Sequence, residues 1–419
     1  MTWQDASRPG VGPRAGTVRL RIGVPALLAF ACGATTRLHV NIVGQLYLCE
    51  VLALVTLAIV GPARVLRESS ALQAVMLGYM TMLSGLIVAD VLTANSLNNA
   101  LRGWANVGFA AIDLMFLTYV LRQDRRALIP LLIGYGLAGM LNTNLTDVAA
   151  AIGDDNAFKT KIMPFLTPLL LVLAYSLQRF KVAEAFMLAV GLALIVIGAR
   201  STGLIFFASG LLLMLLRIPS RGGQRALFAL LGLALGYVAY IQYVDFIFAT
   251  QAPGQHAYDQ LARAASPYNP FSLLAQGRTE FLVAYAAIGE AWLVGRGSWA
   301  QDTTGFFSIL QADLKGSQQV YFNPIIASHS VVLTAWLWGG ILGLAGILIV
   351  LTIALRQGFA VLRHNTVWRP LAAFLFTELI WHFLFSPIAH IRISFPLSLA
   401  AIFVFAEHIR HQNTKYSIK

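Results

Sequence analysis

Long apolar runs recur along this chain, near residues 22–36, 40–60, 71–94, 103–121, 127–144, 162–178, 182–198, 201–217, 226–247, 329–355, 370–386 and 390–408. A bilayer's hydrocarbon core is about 30 Å thick, so a helix crosses it in about 20 apolar residues. Inside lipid the backbone has no water to bond to, and a helix is the local way for one segment to satisfy its own N–H and C=O groups. The runs therefore predict an all-α integral membrane protein with about 12 transmembrane helices. Composition agrees: 58% of the residues are hydrophobic and 11% are charged, whereas a soluble domain is about 25% charged.

The net charge of +12 raises the question of nucleic acid, but the basic residues are spread in ones to threes instead of being gathered on one domain, so no nucleic-acid partner is expected. Their placement follows the turns between runs. Of the 30 lysines and arginines, 20 fall on the N-terminal tail, every second loop and the C-terminal tail, among them Arg64, Arg67, Arg122, Arg217 and Arg410. Positive charge accumulates on the cytoplasmic side of membrane proteins, so both termini are expected in the cytoplasm. The stretch from Arg19 to about Thr36 imitates a signal peptide, yet eleven more runs follow, and it reads as the first helix. Cys32 and Cys49 both lie within apolar runs and suggest no disulfide framework.

The chain divides into a disordered tail over 1–18, nine transmembrane helices over 19–247, one large outer loop over 248–328, three further helices over 329–408, and a tail over 409–419. Within the loop, FLVAYAAIGEAWLVG (281–295) sets Phe281, Tyr285, Ile288 and Trp292 at helical spacing. Such a stretch either lies on the membrane surface or caps the bundle. GLALG (232–236) and GGILG (339–343) carry small residues four apart, which let helices approach closely in lipid. GYGLAG (134–139) matches the dinucleotide fingerprint by letter, but no strand precedes it. Asn144-Leu145-Thr146 matches a glycosylation sequon that is common by chance. No P-loop, metal-ligand spacing or serine nucleophile elbow is present in the sequence, and no metal or cofactor is expected.

Ten basic residues remain on the outer side: Arg37, Arg102, Lys159, Lys161, Arg200, Arg263, Arg278, Arg296, Lys315 and Arg392. Outside the 144–162 loop, all but one are arginine. A guanidinium keeps its charge and offers a planar fork of donors that suits phosphate and diphosphate oxygens. An outward site rich in arginine suggests an anionic lipid headgroup. Arg200 sits in GARSTG (198–203), a turn with membrane helix on both sides; it either snorkels to the headgroups or serves that site. His329 stands where the outer loop re-enters the membrane; a lone histidine there is either a satisfied polar residue or a group able to accept a proton from a sugar hydroxyl. His390 and Arg392, in SPIAHIR (386–392), are further candidates for glycan or diphosphate contact, alongside an anchoring role.

The order of these features resembles the O-antigen ligase and O-antigen polymerase superfamily. Arg200-Ser201 sits between two helices. Gly277-Arg278 precedes a helix bearing Trp292, then Gly295-Arg296-Gly297, and a histidine opens a Gly-rich helix. The likeness is carried by residues 190–350. It implies a bacterial inner-membrane glycosyltransferase of the C-type helical architecture, metal-independent, taking a glycan from undecaprenyl diphosphate on the periplasmic face. Arg200 and Arg278 would hold the diphosphate, and His329 would activate or orient the acceptor hydroxyl. Arg296, Arg102, Arg37, His390 and Arg392 would bind diphosphate or glycan. The acceptor would be a saccharide or lipid A-core. Ser330 stands where members often have Asn, and no Asp follows Asp313, which favours a polymerase or exopolysaccharide enzyme over a ligase. The alternative is a lipid-linked oligosaccharide flippase, for which Glu50 and Asp113 are the acidic residues inside predicted helices; transporters usually show internal repeats, and none is visible here.

Overall fold

The computed structural model of the protein describes residues 23–42, 44–141, 158–217, 222–250, 255–262, 264, 266–270, 272, 278–315, 319–364, 366–388, 392 and 394–417. The predicted tail over 1–18, the sequon at Asn144–Thr146, Gly277 and His390 lie outside these residues. The chain is an all-α bundle with one small hairpin. In order, the elements are α1 (Val24–Thr35), β1 (His39–Asn41), β2 (Gln45–Tyr47), α2 (Leu48–Val60), α3 (Pro62–Arg67), α4 (Ser70–Leu92), α5 (Leu97–Gln123), α6 (Leu128–Leu141), α7 (Met163–Leu177) and α8 (Ala183–Val196). They continue with α9 (Arg200–Arg217), α10 (Gly222–Thr250), α11 (Gln255–Ala262), α12 (Thr279–Ala291), α13 (Phe306–Leu314), α14 (Val331–Leu362), α15 (Arg369–Phe385) and α16 (Ser394–Ser417).

Each apolar run of the sequence contains a helix. Among the described residues, five segments are long and apolar enough to cross a membrane: α4, α5, α9, residues 230–250 of α10, and α14. Shorter apolar helices, α1, α2, α7 and α8, accompany them. The run over 40–60 is not one helix. Its first part forms an antiparallel hairpin with Val40 opposite Leu46, and α2 begins at Leu48, where Glu50 Oε2 accepts the Tyr47 N–H at 2.8 Å. That carboxylate satisfies a donor at the helix start, which fixes where the helix begins. At the other extreme α16 continues to Ser417, through most of the residues expected as a tail.

Close helix packing centres on α4 and α14, where GGILG behaves as expected. A Cβ on Gly85 would lie 2.6 Å from Gly339 O and 2.8 Å from Gly343 N, so only glycine permits this approach. GLALG behaves so only in part: a Cβ on Gly232 would lie 3.2 Å from Leu211 Cδ1 of α9, whereas one on Gly236 would meet nothing within 4 Å among the described residues. In GYGLAG, Gly134 of α6 lies against α1, its would-be Cβ 2.8 Å from Ala34 N. Packing in lipid, and not a nucleotide, accounts for that glycine.

Polar contacts separate the bundle's two ends. At one, Arg122 of α5 holds Glu407 of α16 through Nη2 at 2.5 Å and Nε at 2.8 Å, and Ser69, just before α4, donates to the same carboxylate at 2.5 Å. Arg217 pairs with Glu184 there at 2.7 Å, and Arg410 donates to Gln357 at 2.5 Å. This is the end with the denser basic charge in the sequence. At the opposite end, the finish of α4, the start of α5, the β1–β2 hairpin, residues 295–330 and the start of α16 meet.

Residues 295–302 and 323–330 are folded onto that second end. Asp90, 4% exposed at the end of α4, accepts from Ser298 N at 2.6 Å, Ser298 Oγ at 2.8 Å, Asn95 Nδ2 at 2.7 Å and Trp104 Nε1 at 2.8 Å. One carboxylate thus ties α4, α5 and the loop together. α14 bends at Gly340 (φ 59°, ψ −149°). Ile341 N, which in an unbroken helix would bond Leu337 O, bonds Leu293 O at 3.0 Å instead, and Leu337 O accepts from Arg296 N at 2.8 Å. The Gly295–Gly297 turn therefore takes up the backbone groups that the kink releases. The predicted face of α12 is split: Ile288 is buried with Val283, Ala284 and Ala287, whereas Tyr285 and Trp292 are exposed. The helix caps the bundle with one side and shows aromatics on the other.

Candidate functional site

All the described candidate residues lie at one end of the bundle, and they fall into two groups. Arg37, Arg102 and Arg392 line one cavity of about 960 Å³, together with Tyr47, Asn106, Phe109, Tyr135 and Trp299. Arg37 follows α1 in the turn to β1. Arg102 lies near the start of α5, where Asn106 and Phe109, at four and seven residues on, share its face. The Arg102 guanidinium carbon is 4.3 Å from the Trp299 ring centroid. Arg392, its side chain 10% exposed, pairs with the fully buried Glu50 at 2.5 Å and donates to Gln45 O at 2.9 Å. It also lies over Phe109 and Tyr47, 4.9 and 5.5 Å from their ring centroids. Glu50, an acidic residue inside a predicted helix, is therefore the counter-ion of a cavity arginine. No acidic residue lines the cavity among the described residues.

The second group gathers at the finish of α15. Arg278 directly precedes α12, with its guanidinium carbon 5.8 Å from the Phe385 ring centroid, and Phe281 of α12 meets the same ring edge-on at 5.9 Å. Burial pulls the Arg278 pKa below the usual arginine value, with the nearby Glu280 opposing that shift; a guanidinium at such a pKa remains a cation. Arg278 Nε is buried with no hydrogen-bond partner among the described residues. His329 immediately precedes Ser330, which caps α14 by accepting from Leu333 N at 3.2 Å and donates to Phe383 O at 2.9 Å. Serine at this position thus joins α14 to the last turn of α15 and sets His329 beside it.

Arg200 opens α9 after the turn at Gly198 (φ 102°), 5.6 Å from the Tyr243 ring centroid of α10. α9 packs along α15, with Phe206 on Phe374 at 4.6 Å. At the far end of that pair Glu184, the partner of Arg217, also acts on Arg369 at the start of α15. The two helices are thus antiparallel, and Arg200 stands at the end where α15 finishes. Arg296 is engaged by the protein itself: it pairs with Glu290, donates to Ala287 O at 3.2 Å, and lies 4.8 Å from the Phe307 ring centroid. Arg296 does not line the cavity.

Sequence reasoning missed four participants. His39 lines the cavity from β1. Asn106 was legible in principle, one helical turn beyond Arg102. Trp299, next to the Gly295–Gly297 turn, carried no signal of its own, because its position depends on Asp90 far away in sequence. His382 joins the two groups: its Nδ1 lies 2.9 Å from Ser386 Oγ and its Nε2 3.3 Å from Ser394 Oγ, and Ser394 lines the cavity.

Fold and site together define an all-α, membrane-embedded class of protein with an arginine-rich polar end. No protein-family model matches the chain, and no curated protein matches it.

Proposed function

We propose that the chain is an inner-membrane glycosyltransferase that moves a glycan from undecaprenyl diphosphate to an acceptor sugar on the periplasmic face. In this reading all twelve helices in the apolar runs cross the membrane, both termini are cytoplasmic, and the Arg122–Glu407 end faces the cytoplasm. The observation that supports it is that Arg278 and Ser330, the residue after His329, both meet the last turn of α15, at Phe385 and Phe383, with Arg200 at the same end. The acceptor hydroxyl attacks the donor's anomeric carbon while the bond from that carbon to the diphosphate oxygen breaks. His329 takes the hydroxyl proton or orients it. Arg200 and Arg278 balance the charge on the departing diphosphate, the service a metal gives elsewhere. The absence of an Asp after Asp313, with only Glu378 and Glu407 beyond His329, favours a polymerase over a lipid A-core ligase.

A second reading, a carrier of lipid-linked oligosaccharide, draws on the carboxylates Glu50 and Asp113 of the apolar helices. Asp113, buried in the middle of α5, is the better support, since ionisable groups inside such helices often mark a translocation route, whereas Glu50 already balances Arg392 at the polar end. One experiment separates the two. Detergent-purified protein is given an undecaprenyl diphosphate-linked oligosaccharide, with and without a core-lipid acceptor. A growing ladder without the core lipid is the expected result, and a single shift requiring it marks a ligase. Arg278→Ala and His329→Ala should each reduce transfer by about 100-fold or more while the protein still elutes as a folded species. Absence of transfer with either acceptor, combined with movement of the lipid across vesicles, would replace the transferase reading with the carrier.

A further inference from the structure

The cavity at Arg37, Arg102 and Arg392 is built differently from the group at the end of α15, and its polar lining is dominated by donors. Two of its guanidiniums, those of Arg37 and Arg102, have no carboxylate partner among the described residues; Glu50 balances only Arg392. Asn106 is 5% exposed, and its Nδ2 has no hydrogen-bond partner among the described residues; the same holds for the buried Trp299 Nε1. Buried amide and indole donors are costly unless something accepts from them. The volume of about 960 Å³ greatly exceeds a bare phosphate and lies near the upper end of small-molecule sites. Phe109, Tyr135 and Trp299 form its aromatic walls, with Arg392 over Phe109 and Arg102 over Trp299.

Trp299 is held in place at a cost to its backbone. Its φ is +57°, a region that bulky residues rarely enter and that persists only where surrounding contacts enforce it. Here Asp90 fixes the preceding Ser298 through both N–H and hydroxyl. The result is an indole set against Arg102 at the cavity wall.

We propose that this cavity is a second site, separate from Arg278 and His329, that binds a sugar bearing a phosphate or carboxylate. Arg102 and Arg37 supply charge, Asn106 and Trp299 donate to the anion or to ring hydroxyls, and Arg392 is held in position by Glu50. Under the transferase reading this is the acceptor's seat; only that role rests on the reading, because binding itself is independent of turnover.

The test is calorimetric titration of the full-length protein in detergent with a hexose phosphate, the neutral hexose and inorganic phosphate. The hexose phosphate is expected to bind most tightly. Arg102→Ala and Asn106→Leu should each weaken it about tenfold or more, both eluting as wild type does, and Arg278→Ala should leave it unchanged. A lipid-anchored hexose phosphate binding more tightly than the free one would identify a membrane headgroup as the source, and equal affinities would identify a soluble ligand; either supports the site. Equal binding of neutral hexose and hexose phosphate, or equal losses in Arg102→Ala and Arg278→Ala, would overturn it. If the hexose phosphate binds as expected but no glycan is transferred by the wild type, the transferase reading fails and the site stands.

Discussion

At the scale of single residues, buried charge decides which side chains hold the arginine-rich end together. Asp90 satisfies four donors from three parts of the chain. Replacing it with alanine strands those donors, and Asp90→Ala should lower stability by on the order of 3 kcal/mol, read as a fall in the thermal midpoint of detergent-purified protein. Glu50 and Arg392 make a sharper test. Glu50→Gln leaves a guanidinium that is mostly buried without its counter-ion, a loss of about 3 kcal/mol or more. Glu50→Gln combined with Arg392→Gln should recover part of it, because the uncompensated charge is then gone. Strictly additive losses would mean that the two residues do not act as a pair. In the sequence Glu50 reads only as an acidic residue inside an apolar run; its partner lies 342 positions away, a distance that no local pattern spans.

At the scale of elements, the kink in α14 shows how a helix in lipid tolerates a break. The carbonyl released by the bend is used by the Gly295–Gly297 turn, so loop and helix depend on one another. Gly340 has φ 59° and ψ −149°, where a side chain is strained. Gly340→Ala should therefore cost on the order of 3 kcal/mol and disturb the loop, whereas Gly236→Ala, with open space at that Cβ, should stay within about 0.5 kcal/mol of wild type. Chemical denaturation of both variants in the same detergent checks the contrast. The two glycine motifs look alike as letters. They differ because α14 is pressed against α4 by backbone contact, whereas in α10 Gly232 meets only a Leu211 side chain and Gly236 has no close neighbour among the described residues, and the letters do not carry that difference.

At the scale of the whole molecule, the alternation of helices sorts the chain into two polar ends. With both native cysteines changed to alanine, Ser96→Cys and Glu68→Cys should react with a membrane-impermeant thiol reagent from opposite sides of the membrane, Ser96→Cys from the periplasmic side. Labelling of both from one side would dismantle the assignment of the ends. Under the proposed reaction, the loop joining α10 to α14 lies on the Ser96 side and completes both the cavity and the group around α15.

The sequence by itself determined the helical, membrane-embedded class, because apolar runs of this length leave the backbone no other way to satisfy itself in lipid. It also grouped Arg37, Arg102, Arg200, Arg278, Arg296 and Arg392, which the structure brings to one end of the bundle, because charge that cannot cross lipid follows the turns between runs. Only the tertiary structure decided how those arginines divide. Arg37, Arg102 and Arg392 share a cavity with Trp299 and Asn106, Arg278 and the Ser330 next to His329 meet the end of α15, and Arg296 is taken up by Glu290. That division rests on ion pairs and stacking between segments hundreds of residues apart, whose energies depend on distance in space and leave no period in the chain.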